Sequence, residues 1–279
     1  MRNFAFVLML GSLLFASCQK EDTYPPLGNN SGTLLIKSVS VANGETTTTT
    51  YAYTTDGKID VINMTGTSGG ISVGNYRKFY RDATGRIISI AEKVSPQSGI
   101  EVDTVFTYVH YPNATTFNYD YTVQNINVDV YEINDSTLIT YNSNNQITQG
   151  YTYQTSTIFG PFQEIKTLYT YDAVGNVIKI EGYNDASGTM ELSITLNIAY
   201  DDKTNPLAFD QQASLLSGRG FTASVNNPIL IKFTDAASPG IQTITNTYTF
   251  RADGLPETLL SADDVDGTVA NTTTTFYYQ

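Results

Sequence analysis

The stretch Tyr169-Thr-Tyr171-Asp172-Ala-Val-Gly175-Asn176-Val177-Ile178-Lys-Ile180 recurs along this chain in weaker copies. Self-similarity of this kind limits the fold more tightly than any other feature. Tyr51 to Ile59, Phe79 to Ile87, Ile139 to Ile147 and Tyr248 to Gly254 all align with it, and the glycine or asparagine markers fall at 57, 85, 145 and 175. A degenerate copy around Tyr111 fills the long gap, and Ile198 to Pro206 follows one period after Gly175, so the repeat is about 30 residues long. One supersecondary unit is being stacked into an array.

Each copy reads as a β-hairpin. Tyrosines two apart point to one face of a strand. Asp82 or Asp172 then opens a tight turn by bonding its own backbone, and Gly57, Gly85, Asn145, Gly175 or Gly254 accepts the left-handed conformation that closes it. About eight such hairpins give an all-β antiparallel meander of roughly 14 to 16 strands. A sheet that wide accumulates twist and exposes edges, so it is expected to curl into an open barrel or a wrapped sheet. The 20 Tyr, 13 Phe and threonine runs at 46–50 and 272–275 suit strands. The domain spans 32–279 with an irregular insertion near 205–228. There Asn205-Pro206 stops a strand, Leu207–Leu216 has the spacing of a short amphipathic helix, and Ile229–Phe233 restarts a strand. That insertion either caps one end of the sheet or faces a ligand.

The N-terminus carries an address. Arg2, an apolar run from Phe4 to Leu14 and small residues before Cys18 form a secretory signal over 1–17, too short to span a bilayer. The segment ending at Cys18 resembles the lipobox of bacterial lipoproteins, with Phe15 in place of the usual aliphatic residue; the resemblance implies acylation of the Cys18 thiol. Cys18 is the single cysteine, so no disulfide competes for it. Gln19-Lys20-Glu21-Asp22 resembles the export signal of lipoproteins on the outer face of Gram-negative outer membranes. The 18–31 stretch, rich in Pro, Gly and Asn, is a flexible linker. These features imply an outer-membrane lipoprotein facing the cell exterior, with the membrane as its partner through the lipid anchor.

Charge and chemistry exclude several classes. With 15 basic and 27 acidic side chains, the chain lacks the clustered cations that nucleic acid requires. His110 is the single histidine, which rules out a multi-histidine zinc site, and its strand-like setting reads as structural. Asp201-Asp202 and Asp263-Asp264-Val-Asp266-Gly267 are the candidate paired carboxylates, yet both read as turn formers. Neither a metal site, nor a cofactor, nor a catalytic residue is expected.

The Tyr-Asp-x-x-Gly pattern resembles the YD repeats of Rhs-type proteins. Tyr200-Asp-Asp-Lys-Thr-Asn205-Pro206 is similar to an element of a repeat domain of unknown function in bacterial surface lipoproteins. The resemblance covers most of residues 34–279 and implies a wrapped all-β sheet on the cell surface. Asp103-Thr104-Val105 and Asp135-Ser136-Thr137 resemble the triplet that carries O-glycans in exported proteins of such lineages. The function expected is a surface-anchored, non-enzymatic binding or structural module whose ligand is a glycan or a surface protein. The competing readings are a carboxylate-dependent glycan hydrolase and an accessory subunit of an outer-membrane complex.

Overall fold

The computed structural model describes residues 33–94, 105–113, 116–123, 133–142, 146–156, 160–185, 189–208, 224–237 and 241–279. Cys18, the Gln19–Asp22 tetrapeptide, Asn145 and most of the helix expected at Leu207–Leu216 lie outside them. The first eight strands are β1 (Leu35–Ala42), β2 (Glu45–Tyr53), β3 (Ile59–Ser68), β4 (Ile71–Arg81), β5 (Ile87–Val94), β6 (Val105–Asn113), β7 (Thr116–Val123) and β8 (Ile133–Tyr141). The second eight are β9 (Ile147–Ser156), β10 (Gly160–Tyr171), β11 (Val177–Asp185), β12 (Met190–Thr204), β13 (Asn226–Asp235), β14 (Ile241–Phe250), β15 (Pro256–Val265) and β16 (Thr268–Tyr278).

Every strand pairs antiparallel with its sequence neighbours, giving the expected all-β meander. Its curl goes further than an open barrel. β1 pairs with β16 as well as with β2, from Lys37 opposite Tyr277 to Ala42 opposite Thr272, so the ring closes. Leu34 and Gln279 extend the seam by exchanging backbone hydrogen bonds of 3.0 and 3.3 Å. Closure removes the free edges that would otherwise template association. β13 begins at Asn226, which shortens the expected insertion by a few residues.

The repeat acquires a specific geometry at one end of the barrel. In the best copy the Asp172 carboxylate accepts the backbone N–H groups of Val174, Gly175 and Asn176, and Gly175 closes the turn at φ 106°. Gly57, Gly85 and Gly254 take φ values of 80°, 86° and 83°, and Asp82 accepts from Thr84 and Arg86. Just before these turns the register slips by one residue, at Ala52/Tyr53, Tyr80/Arg81, Thr140/Tyr141, Thr170/Tyr171 and Thr249/Phe250. The β-bulge therefore belongs to the repeat.

Two rings of side chains seal this tyrosine end. Behind the turns Ile59, Ile87, Ile147 and Val177 are 0% exposed, each worth about 1.5 to 3 kcal/mol of burial. Around them the second tyrosine of several repeats reaches back to a backbone carbonyl of the preceding hairpin. Tyr53 donates to Leu35, Tyr111 to Ile87, Tyr200 to Val177 and Tyr278 to Pro256, and Tyr248, at the first position of its copy, donates to Pro228. Where the repeat has Arg81 in place of tyrosine, its guanidinium donates to the Ile59 carbonyl and does the same work. The first repeat position, occupied by Tyr51, Phe79, Val109, Ile139, Tyr169 and Ile198, fills the core one layer deeper.

Candidate functional site

Strand period sends alternate residues inward, and the inward face changes character along the barrel axis. Toward the opposite, loop end the apolar layers give way to polar pairs. Ser40 bonds Thr274 at 2.8 Å, Thr137 bonds Thr152 at 2.9 Å, and the Gln242 amide donates to Asp263. Glu92 accepts from both Arg77 at 2.9 Å and Asn75 at 2.6 Å. Partners of this quality meet the desolvation cost of buried polar atoms, and each pair ties two neighbouring strands together from the inside.

The carboxylate candidates do not converge: Asp201, Asp202, Asp263 and Asp264 sit near strand ends instead of in turns, whereas Asp266 lies in the β15–β16 turn as expected. Asp263 and Asp264 are consecutive residues of β15, so the pleat sends them to opposite faces: Asp263 takes the Gln242 amide, and Asp264 accepts the Gly267 N–H to close the β15–β16 hairpin. Asp201 accepts from Asn227, whereas Asp202 is 86% exposed beside Lys203. His110 is exposed on the outside of β6. Among the described residues no three potential ligands cluster for a metal ion.

The described flanks of the insertion belong to the tyrosine end. Ser224, fully buried, donates to the Tyr200 hydroxyl at 2.8 Å and accepts the Val177 N–H at 3.1 Å. Asn205 donates to the Ser224 carbonyl, and Asn176 and Asn226 bond each other twice. Burial pushes the phenols of Tyr53, Tyr200, Tyr248 and Tyr278 far above their usual range, so they remain protonated donors to the carbonyls they meet.

The outward face holds a second population of aromatics, out of phase with the repeat. In the ladder from β4 to β6, Tyr80 lies opposite Ser89, which lies opposite Tyr108; one step along, Lys78, Ala91 and Phe106 form the parallel row. In these two rows the central strand β5 contributes small residues while its neighbours contribute large ones; in the next row Lys93 of β5 lies opposite Tyr76. Adjacent strands are about 4.8 Å apart, so the walls stand about 10 Å apart over a floor of Ser89 and Ala91. Ala91 is only 6% exposed although it faces outward, because the walls cover it. Tyr76, Tyr80 and Tyr108 are 41%, 44% and 53% exposed. The Phe106 and Tyr108 rings stack with centroids 6.3 Å apart and planes 20° apart. Lys78 is held by Asp60 at 2.5 Å, and Ile88, pushed outward by the repeat bulge, closes the groove toward the tyrosine end.

Sequence reasoning missed this groove because Tyr76, Tyr80, Phe106 and Tyr108 fall between repeat positions. The available signal was parity. Tyr80 directly follows Phe79, which occupies the repeat's inward position, so Tyr80 must face out. Elsewhere on the outer face Tyr151 hydrogen-bonds Glu164, and that bond drives its phenol upward. In the triplet Asp135 to Thr137, Ser136 is exposed while Thr137 is 3% exposed; Asp103 and Thr104 of the other triplet lie outside the described residues. Two depressions lie at the tyrosine end, one of about 640 Å³ beside the seam at Leu34, Ala52, Asp56 and Gln279, the other of about 370 Å³ around Val174, Ile178, Ala199 and Asp202.

No family model matches the chain, and no curated protein does. Solved structures do. A porin-like protein from Bacteroides vulgatus is 14% identical, with a TM-score of 0.51, and the match covers 88% of this chain and 99% of that one. A porin-like protein from Bacteroides uniformis is 12% identical, with a TM-score of 0.54, and the match covers 92% of this chain and 100% of that one. At such identity the likeness is one of fold.

Proposed function

We propose that this chain is a lipid-tethered, non-enzymatic barrel that stands in water at the outer cell surface and uses its outer wall for binding. The observation that carries this reading is the polarity of that wall. Outward positions carry Thr46, Thr48 and Thr50 on β2, Thr245, Thr247 and Thr249 on β14, and charges such as Lys78, Lys166, Glu181 and Lys232 in the middle of their strands. A lipid-facing lysine at the bilayer midplane costs roughly 2 to 4 kcal/mol, so a wall of this composition favours water on the outside. The main apolar cluster lies inside, the reverse of a lipid-spanning channel.

The barrel's described chain begins at Thr33, at the tyrosine end, next to Gln279. A tether running from Cys18 would therefore turn the tyrosine end toward the membrane and the loop end away from it. Membrane fractionation of Cys18→Ala is the test: the variant should move from the outer-membrane pellet to the soluble fraction, and retention after a high-salt wash would end the tethered reading. A second reading, an accessory subunit docked on a larger complex, draws on one observation. Val41, Ile241, Val265 and Val269 are 43 to 55% exposed on four neighbouring strands at the loop end.

A further inference from the structure

We infer that the outward groove on β4–β6 is a binding cleft for an uncharged polysaccharide chain. The inference rests on the reading of the barrel as a water-facing binding module and names its ligand class. Three features of the groove select the occupant. First, its walls are aromatic: Tyr76, Tyr80 and Tyr108 are 41 to 53% exposed, and the planes of Phe106 and Tyr108 are nearly parallel, 20° apart with centroids 6.3 Å apart. The π face of such a ring is negative and attracts the polarised C–H bonds on the flat side of a pyranose.

Second, the polar groups at the cleft suit hydroxyls. Ser89 lies on the floor and the phenols of Tyr76, Tyr80 and Tyr108 are on the rim; of the two outward lysines, Lys78 is committed to Asp60, and Lys93 lies opposite Tyr76 at the end of the cleft nearer the loop end. A mostly apolar cleft with a few convergent donors is the usual composition of a small-ligand site.

Third, the closed ring argues against the main competitor. An extended peptide binds a sheet by adding a strand to an edge, and here each described strand is paired on both sides. A peptide in this cleft would gain no main-chain hydrogen bonds from the sheet. A neutral glycan needs none.

The test uses the full-length protein in detergent micelles, run on native gels cast with a soluble mixed-linkage β-glucan, a galactomannan or dextran, and with a sulfated polysaccharide as the charged control. The protein should be retarded by at least one neutral polysaccharide and less by the sulfated one. Tyr108→Ala should weaken that retardation at least tenfold, while Tyr277→Ala, an exposed ring on the far wall, should leave it unchanged. Ser89→Tyr keeps the aromatic walls and fills the floor; it should abolish retardation without lowering the melting temperature. Failure of every neutral polysaccharide to retard the protein overturns the inference, as does stronger retardation by the sulfated one. Retardation that Tyr108→Ala and Ser89→Tyr leave intact removes the ligand from this cleft but keeps the binding module. Clearing of the polysaccharide from the gel would instead defeat the non-enzymatic reading itself. Specific binding of a protein in competition with the glycan, lost in Ser89→Tyr, would replace the inferred ligand with a macromolecular partner.

Discussion

The two ends of this barrel are built on different principles. At the tyrosine end seven connections join the strands; the described repeat turns reuse the same bulge and glycine conformation, and Tyr53, Arg81, Tyr111 and Tyr200 reach onto the preceding hairpin. At the loop end the turn is a different one: Asn43-Gly44, Gly69-Gly70 and Asp266-Gly267 are two-residue turns with both residues at positive φ, and the interior toward this end is lined by Ser40, Asn75, Glu92 and Gln242. Repetition concentrates stability where each unit locks its neighbour. It leaves the other end free to vary, and local stability in proteins is distributed in this uneven way.

Stability measurements can break that contrast. The largest effect should come from Ile180→Ala, which empties a fully buried site and should cost about 3 to 5 kcal/mol in urea melts. Val269→Ala, 54% exposed at the loop end, should stay within about 0.5 kcal/mol. Equal costs would show that the ends are not energetically distinct. Gly175→Val ranks next, at roughly 1 to 2 kcal/mol or more, because a β-branched residue is strained at φ 106°. Tyr200→Phe follows at about 1 to 2 kcal/mol, since it strips the Val177 carbonyl of a donor and Ser224 of its partner. Tyr277→Phe on the outer wall serves as the matched control and should change nothing measurable.

The smallest effect is a pH dependence. Burial pushes the Asp172 carboxyl upward, but the Asn176 side chain and the N–H groups of Asn176, Gly175 and Val174 outweigh it and hold the group below the usual carboxylate range. A depressed carboxylate contributes stability above its unfolded value of about 4, and that contribution is lost as pH falls through the lower folded value. Urea midpoints should therefore drop between pH 5 and strongly acidic conditions, and Asp172→Asn should flatten that slope. An unchanged slope would mean the turn carboxylate carries no linkage.

Local chemistry made much of this legible in the sequence. The Tyr-x-Tyr-Asp-x-x-Gly spacing encodes strand parity, turn and return strand within a dozen residues, so the hairpins, their number and the inward tyrosines followed from it. Closure did not follow, because the pairing of β1 with β16 joins residues more than two hundred positions apart and neither strand carries a local sign of its partner. The groove was hidden for a related reason. It exists only in register, where Ser89 and Ala91 come to lie between two large neighbours, and no single segment contains that alternation.

The seam between β1 and β16 also sets the order in which the molecule can form. Fifteen of its sixteen pairings join strands consecutive in the chain and can zip as each hairpin emerges, but the last must close a loop of about 240 residues. For a fully flexible chain of that length closure would cost about 5 kcal/mol of entropy, before any constant, so the seam can form only after the zipped and curled hairpins have brought its two strands together. Until then β1 and β16 are two unpaired templates on an exported polypeptide. Deleting β16 should thus do more than remove one strand: it should leave a nearly complete sheet that oligomerises through its edges, with kinetics second order in protein concentration.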